Sequence, residues 1–457
     1  MTMPQNTSHS AIPSEILGII FSYCLPNLLG NPQAQSFRQA RGAAPLALLR
    51  VCRRWNEVVV STPVLWTCIA VEQTKQGCAP PLPVLQQWLK RSAACGLSLD
   101  VLVHPEYSSE DAAQMLRILL TAYHRWREVR LCIPTSLQHH FALQDDILIV
   151  NTTPAPMLES LSITLEAGEF GVISPLGVLD VDDIVERAPR LTRLAWIYEY
   201  PMPTFRAAVG WSRLIHITSV AARSLWDCYA FLQACPQLLS CHLMHVDLGW
   251  EQDGEAAPLR LSRLQSLRII AKGVDFQPLL DLLTLPSLRM LELSRLPPQL
   301  TAAPAFLPLS QLMLRSAFAL EHLVLHNMAL DAFELVGLLK LLSESLTELD
   351  VFDVCKPITE HVINALTINP EATVPPPEEI LCPQLEVIKL RGGVIANDGK
   401  LIDMVRSRRH SDANSRVGVL RDIHVEFADG GGFLADHCRD RTGLEELRSE
   451  GLRAYIF

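Results

Sequence analysis

RLQSLRIIAKGVDFQPLLDLLTLPSLRMLEL, residues 263–293, is the stretch that decides how this chain folds. It contains one pattern twice: Leu264, Leu267 and Ile269 are spaced L-x-x-L-x-L, and Leu288, Leu291 and Leu293 repeat that spacing 24 residues later. Alternation over so short a run is the period of a β-strand, which sends Leu267 and Ile269 to one face and Arg268 to the other. Between the copies, Phe276–Thr284 carries apolar residues at helical spacing. A strand, a turn and a helix cannot enclose a core alone, so the unit has to bury its leucines against copies of itself.

Copies are present along most of the chain. They begin at Trp126, Leu158, Leu191, Leu214, Leu238, Leu264, Leu288, Leu320, Leu346, Leu385 and Leu420, eleven in all, at uneven steps of 23 to 39 residues. Helix-period stretches lie between them at 111–125, 180–188, 224–234, 276–284, 329–344, 359–367 and 400–409. The pattern resembles the leucine-rich-repeat family, and the resemblance implies an α/β solenoid over 97–457, closed by a C-terminal cap at LEELRSEGLRAYIF (444–457). The Asn that often follows the motif is missing, its place being held by Glu166, Glu199, Lys272, Leu296 and Met328, so an irregular horseshoe is expected. The competing arrangement is a row of separate α/β domains.

Composition narrows the function. Apolar residues make up 49% of 457, the formal charge is −10, and of 39 basic residues only seven are Lys. An acidic balance argues against nucleic acid as the main partner. The twelve Cys are scattered without a C-x-x-C pair, and MTMPQNTSHS (1–10) has neither the Lys nor the Arg that an export signal needs. They read as reduced thiols of a protein in the cytoplasm, the nucleus or both. No apolar run is long enough to span a membrane.

The N-terminal segment has its own character. After a disordered 1–10, a helix beginning near a capping Ser14 carries Ile16, Leu17, Ile20 and Phe21 as one stripe, and APLALLRVCRRWNEVVVSTPVLW (44–66) supplies a second apolar helix. IPSEILGIIF followed by VCRRWNEVVVSTPVLW resembles the F-box family over residues 11–69. Together with LPVLQQWLKRSA and the leucine-rich units, the chain is similar to fungal F-box proteins. The resemblance implies a small all-α module that docks a Skp-type adaptor of a cullin ubiquitin ligase. Ile12, Pro13, Glu15, Ile16, Leu17, Ile20 and Phe21, joined by Val51, Cys52 and Trp55, would face that adaptor. The bland alternative is a helical hairpin that caps the solenoid with its apolar face inward. Residues 70–96 read as a Pro-containing linker and helix.

Enzyme chemistry is not supported. There is no G-x-S-x-G, no phosphate-binding loop and no H-E-x-x-H, and DGGGF (429–433) lacks the Lys and Ser/Thr of a phosphate site. No catalytic residue, cofactor or metal is expected. Cys235, Cys241, His242 and His245 come nearest to a metal set, yet Cys241 and His242 are adjacent on a strand and point apart. RSRRH (406–410) reads as a nuclear address or as a solvated helix end.

What remains is protein binding on the sheet face opposite the leucines. His242, Arg268, Glu292, His322, His326, Asp350, Phe352, Lys389 and Arg391 are the candidates for holding an unknown protein target. Five of the 14 His, at 216, 242, 322, 326 and 424, fall on this face. Either strands simply accommodate planar side chains, or the imidazoles bond or gate a protein ligand near neutral pH.

Overall fold

The computed structural model describes residues 12–25, 44–74, 77–104, 109–134, 137, 153–166, 181–198, 209–250, 256–296, 305–368, 380–409, 418–427 and 437–457. Residues 1–10, Glu199 and DGGGF lie outside them. The chain divides into two compact units, one within Met1–Glu199 and Arg206–Leu214, the other within Tyr200–Phe205 and Ile215–Phe457.

In the first unit two helices, α1 (Ser14–Ser22) and α2 (Arg53–Ser61), precede six strands: β1 (Cys68–Thr74), β2 (Gly77–Ala79), β3 (Leu97–Leu102), β4 (Trp126–Pro134), β5 (Ser160–Glu166) and β6 (Arg193–Tyr198). Their order is β2-β1-β3-β4-β5-β6, and all neighbours are parallel except the β1–β2 hairpin. This corrects the linker expected at 70–96. Ile69 and Val71 are fully buried, so the stretch opens as a sheet strand beside β3 and becomes helix only at Leu82–Arg91.

The second unit holds β7 (His216–Ala221), β8 (Ser240–Val246), β9 (Leu259–Arg260), β10 (Ser266–Ala271), β11 (Leu283–Thr284), β12 (Met290–Arg295), β13 (His322–His326), β14 (Glu348–Phe352), β15 (Ile358–Thr359), β16 (Val387–Ile395), β17 (Asp422–Phe427) and β18 (Arg453–Ile456). Nine form one parallel sheet in the order β7-β8-β10-β12-β13-β14-β16-β17-β18, with β15 paired to β16 and β9 to β11. Each of the eleven leucine patterns occupies a strand of its own. The mixed α/β, leucine-rich-repeat-like architecture is therefore present.

Register explains why the leucines matter. Cys241, Leu267, Leu291, Leu323, Leu349, Ile388 and Ile423 stand in one row across β8 to β17, and all are buried. Leu243, Ile269, Leu293, Leu325, Val351, Leu390 and Val425 form the next. Each fully buried side chain of this size contributes roughly 1.5–3 kcal/mol, so the rows are the main cohesive element. The helical stretch expected at 276–284 shrinks to Gln277–Leu280, because Leu283 and Thr284 turn into β11. A helix at Phe306–Ser316 was masked in the sequence by Pro308 in its first turn.

The missing Asn is replaced one position earlier. Asn327, at φ +54°, donates from Nδ2 to the Arg295 carbonyl (2.9 Å) and accepts from the Val354 N–H (3.3 Å), tying three successive units. In the next unit Asp353 takes that place and accepts from the N–H groups of Ala329, Cys355 and Lys356. The following turn uses Gly392, at φ +85°, where a Cβ would collide with the Asp353 backbone.

The surplus of Arg over Lys also has a structural cause. Arg125 donates to the Cys95 and Leu89 carbonyls, Arg213 to Val185 and Ala188, Arg315 to Leu280 and Leu283, and Arg408 to Leu366, Leu381 and Cys382. A guanidinium offers five N–H donors in a rigid fork and can satisfy several carbonyls left over at a helix or turn end, which an ammonium does less well. Within RSRRH, Arg408 is thus corrected from a surface residue to a fully buried one held among carbonyls, while Arg406 is exposed and pairs with Glu446.

Candidate functional site

α1 begins after Pro13, not on a Ser14 cap, and its side chains divide sharply. Leu17 is 6% exposed and Phe21 1%, with the Phe21 ring 4.7 Å from that of Trp55 on α2. Ile16 at 46% and Ile20 at 45% point the other way, beside exposed Ile12, Pro13, Glu15, Val51 and Cys52. The single stripe read from the sequence is thus two faces. Leu17 and Phe21 are corrected from surface to core, and Trp55, half-buried, closes over Phe21. Ile19 and Tyr23, which sequence reasoning passed over, are exposed as well.

The nine sheet candidates all lie in the second unit, on the face away from the leucine rows. Strand register sets His242, Arg268 and Glu292 side by side, and continues that row through Val324, Asp350, Lys389 and His424. His322 stands beside Glu348, while His326, Phe352 and Arg391 are neighbours in another row. These are cross-strand neighbours in the sense that stabilises sheets, the polar ones bonded to the strand beside them and Phe352 in contact with His326 and Arg391.

Glu348 accepts from His322 Nδ1 (3.0 Å) and from Lys389 Nζ (2.6 Å). Arg391 Nη2 donates to both oxygens of Asp350 (2.7 and 2.9 Å), and His326 sits between Ser294, Asp350 and Arg391. Arg268 pairs with Glu292 through Nε. Burial pushes Glu348 and Asp350 upward, but the hydrogen bonds from Lys389, His322, His326 and Arg391 outweigh it and hold both carboxyls below their ordinary values. His242 goes down to about 4, through burial and the neighbouring Arg268 charge, with its Nδ1 bond to the Thr218 carbonyl opposing. At neutral pH that imidazole is uncharged and donates from Nδ1.

The cluster of histidines now has a structural reason. His216 bonds Ser240, His242 bonds Thr218, His322 bonds Glu348 and His326 bonds Ser294, all across strands, while His424 pairs with Asp422 on its own strand and stacks on Tyr455. Pattern reasoning could place these residues on a face but had no signal for their partners, which come from registers between distant segments.

The sulfur set does not assemble. Cys235 and Cys241 are buried, with their thiols pushed up by burial, whereas His242 is on the opposite face; the His245 side chain lies outside the described residues. None of the twelve Cys forms a disulfide. Asp398, His437 and Asp440 do come together. Their oxygens are engaged at helix ends: Asp398 accepts from the Arg439 and Asp440 N–H groups, and Asp440 accepts from Ile402 N–H and bonds His437 Nδ1. No described helix is long and apolar enough to cross a membrane.

No protein-family profile matches this chain, nor does any curated protein sequence. Among solved structures it is similar to a chain in the crystal structure of a TLR13–ssRNA13 complex, over 82% of this chain, at 12% identity and a TM-score of 0.26. It spans 58% of the length of that chain. A likeness that weak adds nothing to what the register of this chain's own strands establishes.

Proposed function

We propose that this chain is a non-catalytic substrate receptor: the ladder face of its leucine-rich units holds a protein target, and its N-terminal helix pair docks a Skp-type adaptor of a cullin ubiquitin ligase. The observation that carries the adaptor half is the two-faced α1. Leu17 and Phe21 anchor the helix inward, and this leaves Ile12, Ile16, Ile20 and Val51 as apolar side chains facing water without a structural need for them. Exposed apolar groups gathered on one module mark a contact surface. The F-box resemblance names the occupant.

The target half needs only the repeat architecture, and it also fits a plain protein-binding scaffold with no ligase. Co-purification separates the two. The full chain is expected to retain a Skp-type adaptor and cullin, and Ile16→Glu with Ile20→Glu to weaken adaptor binding by well over tenfold, about 1.4 kcal/mol or more, with the melting temperature unchanged. Leu17→Ala or Phe21→Ala should instead cost roughly 2–5 kcal/mol of stability, as core truncations do. A wild-type chain that recovers neither adaptor nor cullin leaves the scaffold.

A further inference from the structure

We infer that the ladder face of the second unit selects an acidic polypeptide segment, an assignment that rests on the proposal that this face holds a protein target. The chain as a whole is acidic, so the inference depends on which groups the face presents and which it hides.

On this face the carboxylates lie deep and the cations stand above them. Glu292 has a side chain 6% exposed beneath Arg268 at 41%, and Asp350 is 9% exposed beneath Arg391 at 34%. His322 is likewise more open than its partner Glu348. Hydrogen-bond capacity follows the same order. Both oxygens of Asp350 and both of Glu348 already accept bonds. Arg268 spends only Nε on Glu292, and Arg391 spends only Nη2, so their remaining terminal N–H groups donate to no described residue. The face therefore holds its acceptors deep and leaves donors above them, the two terminal nitrogens of Arg268 as a fork and Nη1 of Arg391, whose Nε is itself buried.

Two further features favour a polypeptide over a nucleic acid. Each of these cations is paired with a carboxylate on the same face, so there is no net field of the kind that phosphate backbones require. Apolar side chains are interleaved with the donors: Val324 separates Glu292 from Asp350 along one row, and Phe352 stands beside Arg391 with the guanidinium 5.7 Å from its ring centre. A segment that mixes Asp or Glu with apolar residues matches both.

The purified full chain can be screened against a displayed library of random peptide segments, with single-stranded RNA as a second probe. Segments rich in Asp and Glu should be enriched, and replacing their acids with the amides should weaken binding about tenfold or more. Two charge-free pairs, Arg391→Gln with Asp350→Asn and Arg268→Gln with Glu292→Gln, remove a donor without orphaning its carboxylate, and each should lose the same preference. Either pair serves if the other fails to fold, as thermal melting will report. Enrichment of neutral or basic segments would overturn the acidic assignment and leave a protein-binding face. Tighter binding of RNA than of any segment would overturn it in favour of phosphate. A library from which nothing is retained would sink the assignment together with the protein-binding reading of this face.

Discussion

Two aspartates, one in each unit, occupy equivalent places between the inward residues of their strands and have opposite fates. Asp100, in β3 of the first unit, is buried with one ion-pair partner, Arg130, at 3.7 Å, and its Oδ1 accepts no hydrogen bond. Burial dominates there, and its carboxyl is pushed up to about 6 against the pull of Arg130. Asp350, in β14 of the second unit, is nearly as buried, yet the hydrogen bonds from His326 and from Arg391 Nη2 hold it below its ordinary value. Burial alone does not set the sign. What decides is whether the neighbouring strands bring enough donors to replace the lost water.

The largest effect that should follow is at Asp350. Asp350→Ala removes the acceptor for Arg391 and His326 and should cost about 2–3 kcal/mol in denaturant unfolding, whereas Asp100→Ala should cost clearly less. Equal losses would mean that the two carboxylates are not in different states. A smaller effect is at Asp100. Its raised carboxyl contributes stability fully present below its unfolded value near 3.8 and lost as pH rises through about 6. Asp100→Asn removes that loss and should be more stable than the parent by about 1 kcal/mol at pH 8, with the gain shrinking below about pH 6 and gone only below its unfolded value near 3.8.

The smallest effect concerns the parent chain in acid. Glu348 and Asp350 are depressed, so their contribution is present above their unfolded values near 4.5 and 3.8 and disappears as pH falls through the lower folded ones. Between about pH 5 and pH 3, amide protection measured against the intrinsic exchange rate at each pH should fall in β14 and β16 and rise in β3, since Asp100 gains what they lose. Faster exchange in β3 would reverse the comparison.

Much of the fold was legible because Leu267 and Ile269 announce a strand face and their spacing announces a neighbour. What was hidden depends on partners far along the chain. Ile16, Leu17, Ile20 and Phe21 cover too wide an arc for periodicity to say which half turns inward, and only Trp55 closing over Phe21 decides it. Asn327 lies one residue before the place where the motif puts its Asn, which Met328 holds, so the motif spacing does not mark it. On the ladder face the residues could be named but not paired. That His326 meets Arg391 is a matter of strands 65 residues apart in sequence, and no local pattern encodes it.

The arginines that feed carbonyls of the preceding unit bear on how the chain comes apart. Apolar contact between stacked units is non-directional and tolerates sliding, but a fork such as Arg408, with three carbonyls from two segments, fits one alignment only. Each clamp therefore fixes the phase of one unit against the next and makes a unit that has lost its predecessor poorer by several hydrogen bonds at once. Unfolding should accordingly travel through clamped joints in blocks of several units, and stop, if it stops anywhere, where neighbours are held by leucines alone.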